Sequence, residues 1–88
     1  MIAEYSKRFN KNFRKRIASN PKLASQFINR LQLLANDPSH PTLKLHKLTG
    51  KLNHLHSFSL TGDIRVLFEK ISDKEIFLYD IGSHNQVY

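Results

Sequence analysis

The side chains of this 88-residue chain best suited to chemistry are histidines and one arginine. Histidine transfers protons near neutral pH because its unperturbed pKa is about 6.5, and the chain has five. His46 lies in a basic connecting segment, residues 37–51, and His84 lies close to the C-terminus. Arg65 interrupts an apolar strand pattern, where its guanidinium could clamp a phosphate with two hydrogen bonds. The alternative for Arg65 is an outward-facing pair with Glu69.

Metal chemistry has less support in the sequence. The chain has no cysteine, which excludes disulfides and thiolate zinc sites and fits a reducing compartment. His54 and His56 are expected to share one face of a strand, but no third ligand accompanies them. We therefore expect neither a metal nor a cofactor.

The net charge of +7 is unevenly placed. Residues 1–30 carry +7, residues 31–62 carry +2 and residues 63–88 carry −2. A basic N-terminal third indicates a nucleic acid or an acidic protein segment as partner. A solvated helix face that keeps a small protein in solution would have the same composition, so charge alone leaves both interpretations open.

The length predicts a single domain covering residues 1–88 with a small core. No apolar run approaches the roughly 20 residues of a membrane span, and the first residues, MIAEYSKRF, lack the apolar centre of a signal peptide. These features predict a soluble cytoplasmic protein.

The first half of the sequence predicts a strand followed by a helical hairpin. Residues 2–5 read as a short strand, and Ser6 can cap the helix that follows. Asn20 and Pro21 are a strong second helix start, because the asparagine caps and the proline lacks an amide that the first turn would leave unused. Asn36-Asp37-Pro38 ends that second helix.

The last third predicts an antiparallel meander. Residues 57–60 and 64–69 alternate in polarity, and residues 76–81 are rich in aromatic and β-branched side chains. The predicted fold class is α+β, with both helices on one face of a four-stranded sheet. The residues read as core only are Phe9, Phe13, Ile17, Leu23, Phe27, Leu31, Leu34, Val66, Phe68, Ile76 and Leu78.

Three segments resemble the RelE/ParE superfamily of bacterial toxins. They are Leu45-His46-Lys47-Leu48-Thr49-Gly50, the strand segment from Gly62 to Phe68, and the ending Asp80-Ile81-Gly82-Ser83-His84-Asn85-Gln86-Val87-Tyr88. The pattern is most similar to the YafQ-like branch, with its His-x-Leu-Thr-Gly and Gly-Ser/Thr-His-x-x-x-aromatic elements. The resemblance covers essentially the whole chain.

The resemblance implies an endoribonuclease that cuts messenger RNA in the ribosomal A site. It also implies a cognate acidic antitoxin that silences an otherwise monomeric toxin. Metal-free cleavage would use the ribose 2′-hydroxyl as nucleophile, a base and an acid for the two proton transfers, and a cation for the phosphorane charge.

The resemblance assigns roles to particular positions. His84 matches a proton-transfer histidine, and His46 matches the loop histidine, a second proton-transfer or phosphate-contacting candidate. Asp63 matches an acidic residue that could orient a histidine or act on the 2′-hydroxyl, although Gly-Asp is also good turn chemistry. Arg65 would bind phosphate, and Tyr88 would stack on a base.

The sequence departs from the YafQ pattern at Ser59, where a further histidine is expected. A serine cannot shuttle protons at neutral pH, so either His54 or His56 compensates, or catalysis uses the remaining residues, or activity is reduced. Electrostatic contacts to RNA phosphates are predicted from the connecting-segment lysines and the basic first helix. The lysines are Lys44, Lys47 and Lys51.

Two other functions fit the same fold. A ParE-like inhibitor of DNA gyrase would not need the histidines, and a non-catalytic RNA-binding or antitoxin-binding remnant would not arrest growth. Codon preference, potency, the antitoxin's identity and operon autoregulation leave no signal in the sequence.

Overall fold

The computed structural model describes all residues, 1–88, as one five-stranded sheet with three α-helices. The elements are β1 Ile2–Tyr5, α1 Lys7–Arg16, α2 Pro21–Asn36, β2 His46–Lys47, β3 His56–Ser59, β4 Ile64–Ser72, β5 Glu75–Ser83 and α3 His84–Val87. Short 3₁₀ turns at Pro41–Leu43 and Gly50–Leu52 flank β2. None of the helices has the length and apolar character needed to cross a membrane.

The sheet order is β1-β5-β4-β3-β2, in which β1 pairs parallel with β5 and the other pairs are antiparallel. The predicted meander is confirmed, but the predictions of four strands and of two helices are wrong. Helix α3 follows β5 directly. The added strand is β2, a two-residue pairing of His46 with Ser57 and of Lys47 with His56. So short a strand shows no alternation, and only the pairing with β3 makes it visible.

The predicted helix starts are confirmed by their caps. The Ser6 hydroxyl accepts a hydrogen bond from the Phe9 amide at 2.9 Å. The Asn20 side chain accepts from the amides of Lys22 and Leu23, and Pro21 occupies the first turn. These bonds satisfy amides that a helix start would otherwise leave without partners.

The helix face of the sheet, defined as the face that α1 and α2 cover, holds the main core. Eight of the predicted core residues are fully buried, but Phe13, Leu23 and Leu31 are only partly buried at its margin. The prediction omitted four buried members of this core, namely Leu43, Phe58, Leu60 and Ile81.

The opposite face, called here the cleft face, carries a second, smaller core. Leu55, Leu67 and Val87 are buried there, with Leu48, Leu52 and Tyr79 partly buried around them. Alternation along β4 correctly separates Leu67 from the helix face. Its complete burial comes from α3 and the segment before β3, so the prediction that only one face is covered is incomplete.

Helix α1 lies along the free edge of β5 beyond the end of β1. The Ser6 hydroxyl donates to the Tyr79 carbonyl at 2.9 Å, and Arg16 Nη1 donates to the Ile81 carbonyl at 2.9 Å. A β-bulge leaves Tyr79 without a partner on β4. Next to it, the buried Asp80 carboxylate accepts from Asn12 at 2.7 Å. Sheet edges need such cover, since unpaired backbone groups otherwise invite further strands.

Candidate functional site

A shallow cleft of about 380 Å³ opens on the cleft face between β2, β4 and α3. Its lining residues are His46, Leu48, Thr49, Leu52, Arg65, His84 and Tyr88. Four of the five predicted catalytic residues therefore meet in one cavity, although they come from segments up to 42 positions apart in the sequence.

A contact with a backbone carbonyl favours one tautomer of the His46 ring. Its Nδ1 lies 3.2 Å from the carbonyl oxygen of Lys44. Because a carbonyl only accepts, Nδ1 carries the proton that makes this bond in the neutral ring. Nε2 is then the atom with the free lone pair. The exposed His46 ring is thus prepared to accept a proton through Nε2.

His84 is the first residue of α3, and the short helix is anchored at both ends. The Ser83 amide donates to the Gln86 side chain at 2.7 Å, and Val87 is buried in the second core. The Tyr88 ring packs edge-on against the His84 ring, with centroids 4.5 Å apart. Both rings remain solvent-accessible at the mouth of the cleft.

Gly82 allows α1 and α3 to approach β5 closely. A Cβ atom at this position would lie 2.6 Å from Arg16 Nη1 and 2.7 Å from Gln86 Oε1. Both atoms are the ends of flexible side chains, so a larger residue here would push them away from the Ile81 carbonyl and the Ser83 amide to which they bond. The sequence motif contains this glycine, but its contact with Arg16 is a tertiary feature.

Arg65 is half-buried and crosses the floor of the cleft. Its Nη1 donates to the carbonyls of Thr61 and Gly62, each at 3.1 Å, and no carboxylate neutralises its charge. The alternative pairing with Glu69 is absent. On the neighbouring strands Arg65 is flanked by Ser59 and Gly82, and the side chains of Arg16 and Gln86 occupy the space over Gly82.

Asp63 is not part of this cavity. It lies exposed in the turn before β4, where its amide bonds to the Thr61 hydroxyl at 3.3 Å. Its carboxylate makes no ion pair and touches neither histidine of the cleft. The structure thus agrees with the turn interpretation and does not bring Asp63 to the predicted catalytic residues.

The three predicted RNA-binding lysines are dispersed. Lys51 is exposed in the 3₁₀ turn beside Leu52, at the cleft margin. Lys47 alternates with His46 on β2 and therefore points to the helix face, beside His56. Lys44 lines a separate cavity next to the cleft.

No histidine replaces the one missing at Ser59. His56 stacks on Phe68 of the helix face, with ring centroids 5.5 Å apart. Burial, and then the charges of Lys47, Lys70 and His46, lower the pKa of His56. His54 lies in a turn and packs edge-on against Tyr79 of the cleft face. The prediction that His54 and His56 share a strand face is therefore wrong.

The chain has no group of three histidine or acidic side chains able to hold a metal ion.

The supporting residues that sequence reasoning missed are Arg16 and Gln86. A signal for the first was present, since Asn12 and Arg16 are four residues apart and off the apolar stripe of α1.

The sequence profile of a family described as "Bacterial toxin of type II toxin-antitoxin system, YafQ" matches residues 1–88. No curated protein matches the chain by sequence.

Solved structures share the fold. YafQ from Escherichia coli strain BL21(DE3) is 20% identical, with a TM-score of 0.80 over 98% of this chain and 96% of that one. The toxin–antitoxin complex DinJ–YafQ from Escherichia coli includes a chain 19% identical, with a TM-score of 0.77 over 98% and 94%. A chain of the YoeB–YefM complex from Staphylococcus aureus is 15% identical, with a TM-score of 0.77 over 96% and 97%.

Proposed function

The chain belongs to the YafQ family of toxins of type II toxin–antitoxin systems, and from that premise we propose that it is an endoribonuclease that cuts messenger RNA on the ribosome. In this proposal the whole chain is one toxin domain that acts as a monomer in the cytoplasm. A cognate acidic antitoxin silences it, as DinJ and YefM form complexes with the related YafQ and YoeB.

The proposal rests on one observation. His46, His84 and Arg65 line the same cleft, and no carboxylate neutralises Arg65. Cleavage at a ribose 2′-hydroxyl needs a proton acceptor, a proton donor and a positive charge near the phosphate. The cleft holds one candidate for each task, and none of these tasks requires a metal ion.

His46 acts as general base through Nε2, because its Nδ1 proton is held by the Lys44 carbonyl. The 2′-oxygen then attacks the adjacent phosphorus, and the bond from phosphorus to the 5′-oxygen breaks. His84, as imidazolium, gives its proton to the departing 5′-oxygen. The products are a 2′,3′-cyclic phosphate and a 5′-hydroxyl end.

Arg65 stabilises the charge that develops on the phosphorane oxygens. The carbonyls of Thr61 and Gly62 hold one end of its guanidinium, so the side chain is oriented before RNA binds. Preorganised charge of this kind is most effective when it need not move during the reaction. Tyr88, packed on His84 at the rim, offers a surface on which a base can stack.

Asp63 has no proton-transfer step in this mechanism, because it lies outside the cleft. Ser59 leaves the site with two histidines where the YafQ pattern has three. Lys44 and Lys51, close to the cleft, contribute non-specific attraction to RNA phosphates.

Induced expression followed by mapping of messenger RNA ends tests the proposal. The native chain is expected to arrest growth and to leave 2′,3′-cyclic phosphate ends at codon-phased positions, only in translated messages. His84→Ala is expected to lower cleavage about 10²- to 10⁴-fold, the usual contribution of a general acid. An exposed control, His54→Ala, should cut as the native chain does.

The competing functions give different results. A gyrase inhibitor would damage DNA, leave messages intact and remain toxic as His84→Ala. A binding remnant would not arrest growth in any form. Either result would overturn the nuclease proposal.

A further inference from the structure

A second cavity, here called the anion pocket, lies beside the cleft. Its volume is about 430 Å³, and it opens between α2, the turn before β2 and the turn between β3 and β4. The lining side chains that matter for binding are Gln26, Arg30, Thr42, Lys44, Ser59 and Thr61. Two are cationic, four are neutral hydrogen-bonding groups, and none is acidic.

The positive charges of this pocket have no partner within the chain. Arg30 Nε is buried and makes no hydrogen bond, and Arg30 Nη1 donates only to the neutral Asn29 side chain at 3.3 Å. Neither Arg30 nor Lys44 forms an ion pair. A ligand in the pocket would bind the terminal nitrogens of Arg30, of which only Nη1 has a partner, and that partner is neutral.

The backbone at Lys44 adds a second, independent observation. Lys44 has a φ of 47°, the only positive value at a residue other than glycine. Such a conformation is unfavourable for a side chain with a Cβ. It is held by the turn: the Lys44 amide donates to the Pro41 carbonyl at 3.2 Å, and the Thr42 amide donates to His40 Nδ1 at 3.1 Å.

This strained residue connects the two cavities. Lys44 lines the anion pocket, while its carbonyl lies 3.2 Å from Nδ1 of His46 in the cleft. Arg65 makes a second connection, because it lines the cleft and donates to the carbonyls of Thr61 and Gly62 in the pocket wall. Any polyanion that enters the cleft therefore passes close to the pocket.

We propose that the anion pocket binds a backbone phosphate of the RNA next to the phosphate that is cleaved. The inference rests on the proposed nuclease function and extends it by naming a subsite. Arg30 and Lys44 would supply the charge, and the hydroxyls of Ser59 and Thr42, which have no partner within the chain, would donate to the phosphate oxygens. The donors of the pocket come from three segments, namely α2, the turn before β2 and the end of β3. The tetrahedrally arranged oxygens of a phosphodiester can accept hydrogen bonds from all three.

Binding of a single-stranded RNA decamer tests the subsite. All its sugars are 2′-O-methylated, so that it cannot be cut, and fluorescence anisotropy is measured over a series of salt concentrations. Arg30→Gln and Lys44→Asn are each expected to weaken binding about 5- to 10-fold and to reduce the slope of log K against log salt by about 0.7. Asparagine tolerates the left-handed backbone, so Lys44→Asn removes charge without changing the turn.

Lys74→Gln is the matched control, because Lys74 lies in the turn at the opposite end of the β4–β5 hairpin. It removes the same charge from the chain but should leave the salt slope within error of the native value. Thermal unfolding of every variant shows whether it is folded. If Arg30→Gln is unfolded, Lys44→Asn, an exposed position, still decides the question.

The outcomes separate the subsite from the nuclease. If the native chain binds and cuts RNA but both pocket variants match Lys74→Gln, the subsite is wrong and the nuclease stands. If the native chain neither binds the decamer nor cuts messages on ribosomes, the proposed function fails as well. If the pocket variants bind RNA normally but lose affinity for the acidic antitoxin, the pocket serves a protein carboxylate, and the RNA subsite is overturned.

Discussion

The two faces of the sheet differ in what fills them. The helix face buries a continuous core of twelve apolar residues, whereas the cleft face buries three and leaves the rest to polar and charged groups. On the cleft face the strands carry small residues where the helix face carries large ones, among them Ser57, Ser59 and Gly82. One face therefore supplies the stability that allows the other to hold unneutralised charge and open space.

Strand β3 displays this difference within two adjacent residues. Phe58 is fully buried in the helix-face core, and Ser57 is fully buried on the cleft face with a hydroxyl that has no hydrogen-bond partner. Phe58 fills the main core, whereas Ser57 is a small residue whose buried hydroxyl makes no hydrogen bond. Adjacent residues of one strand therefore belong to two differently packed faces.

The largest expected effect is on the helix face. Phe58→Ala should lower the free energy of unfolding by about 3–5 kcal/mol, the usual cost of removing a buried phenyl ring. Urea unfolding followed by circular dichroism measures it. Ser57→Ala is the matched change on the cleft face, and it should be neutral or stabilising, because it removes an unsatisfied buried hydroxyl. A loss at Ser57 comparable to that at Phe58 would contradict the division between the faces.

A smaller effect is expected at Gly82, beside the cleft. Gly82→Ala should cost about 1–3 kcal/mol, because its new methyl group would displace Arg16 and Gln86. Since α3 carries His84, RNA cleavage should fall by more than stability predicts. Gly62→Ala, where a Cβ meets nothing within 4 Å, is the control for stability alone, because the Gly62 carbonyl also holds Arg65. Equal losses of stability in the two variants would show that the close approach at Gly82 is unimportant.

The smallest expected effect is the pH dependence contributed by His56 at the rim of the helix face. Burial lowers the pKa of His56 from its ordinary value of 6.5, with Lys47, Lys70 and His46 adding to the shift. Protonation then favours the unfolded state, in which the pKa is ordinary. The contribution is absent well above pH 6.5, and stability is lost as the pH falls below 6.5 towards the lowered value.

His56→Gln should accordingly lose less stability between pH 7.5 and pH 5.5 than the native chain does. Urea midpoints at the two pH values measure this difference. His54→Gln, at an exposed turn, should keep the native pH dependence. If His56→Gln were as sensitive to acid as the native chain, the His56 ring would be more exposed to solvent than the structure indicates.

Much of the fold follows from local signals in the sequence. The alternation in β4 correctly places Val66 and Phe68 in the main core and Arg65 on the other face, because side chains alternate along any strand. The caps at Ser6 and Asn20 are equally local, since they depend on hydrogen bonds that span two or three residues. Such features require no knowledge of distant partners.

The site is only partly predictable for the opposite reason. Motif resemblance selected His46, Arg65 and His84, which line one cleft, and also Asp63, which lies outside it. Lys47 was selected for its charge. Because side chains alternate along a strand, Lys47 lies on the face of β2 opposite to His46. A motif preserves sequence position, whereas membership of a cavity depends on the direction in which each side chain leaves the backbone.

The sequence by itself determined the α+β class, the starts of α1 and α2 and the inward face of the central strand, because these depend on steric preference, capping and periodicity. Only the tertiary structure decided that α1 covers the edge of β5, that Leu67 is buried beneath α3, and that Arg30 and Lys44 share a pocket. These features depend on contacts between residues far apart in the chain. The packing of whole elements selects such contacts, and no local preference encodes them.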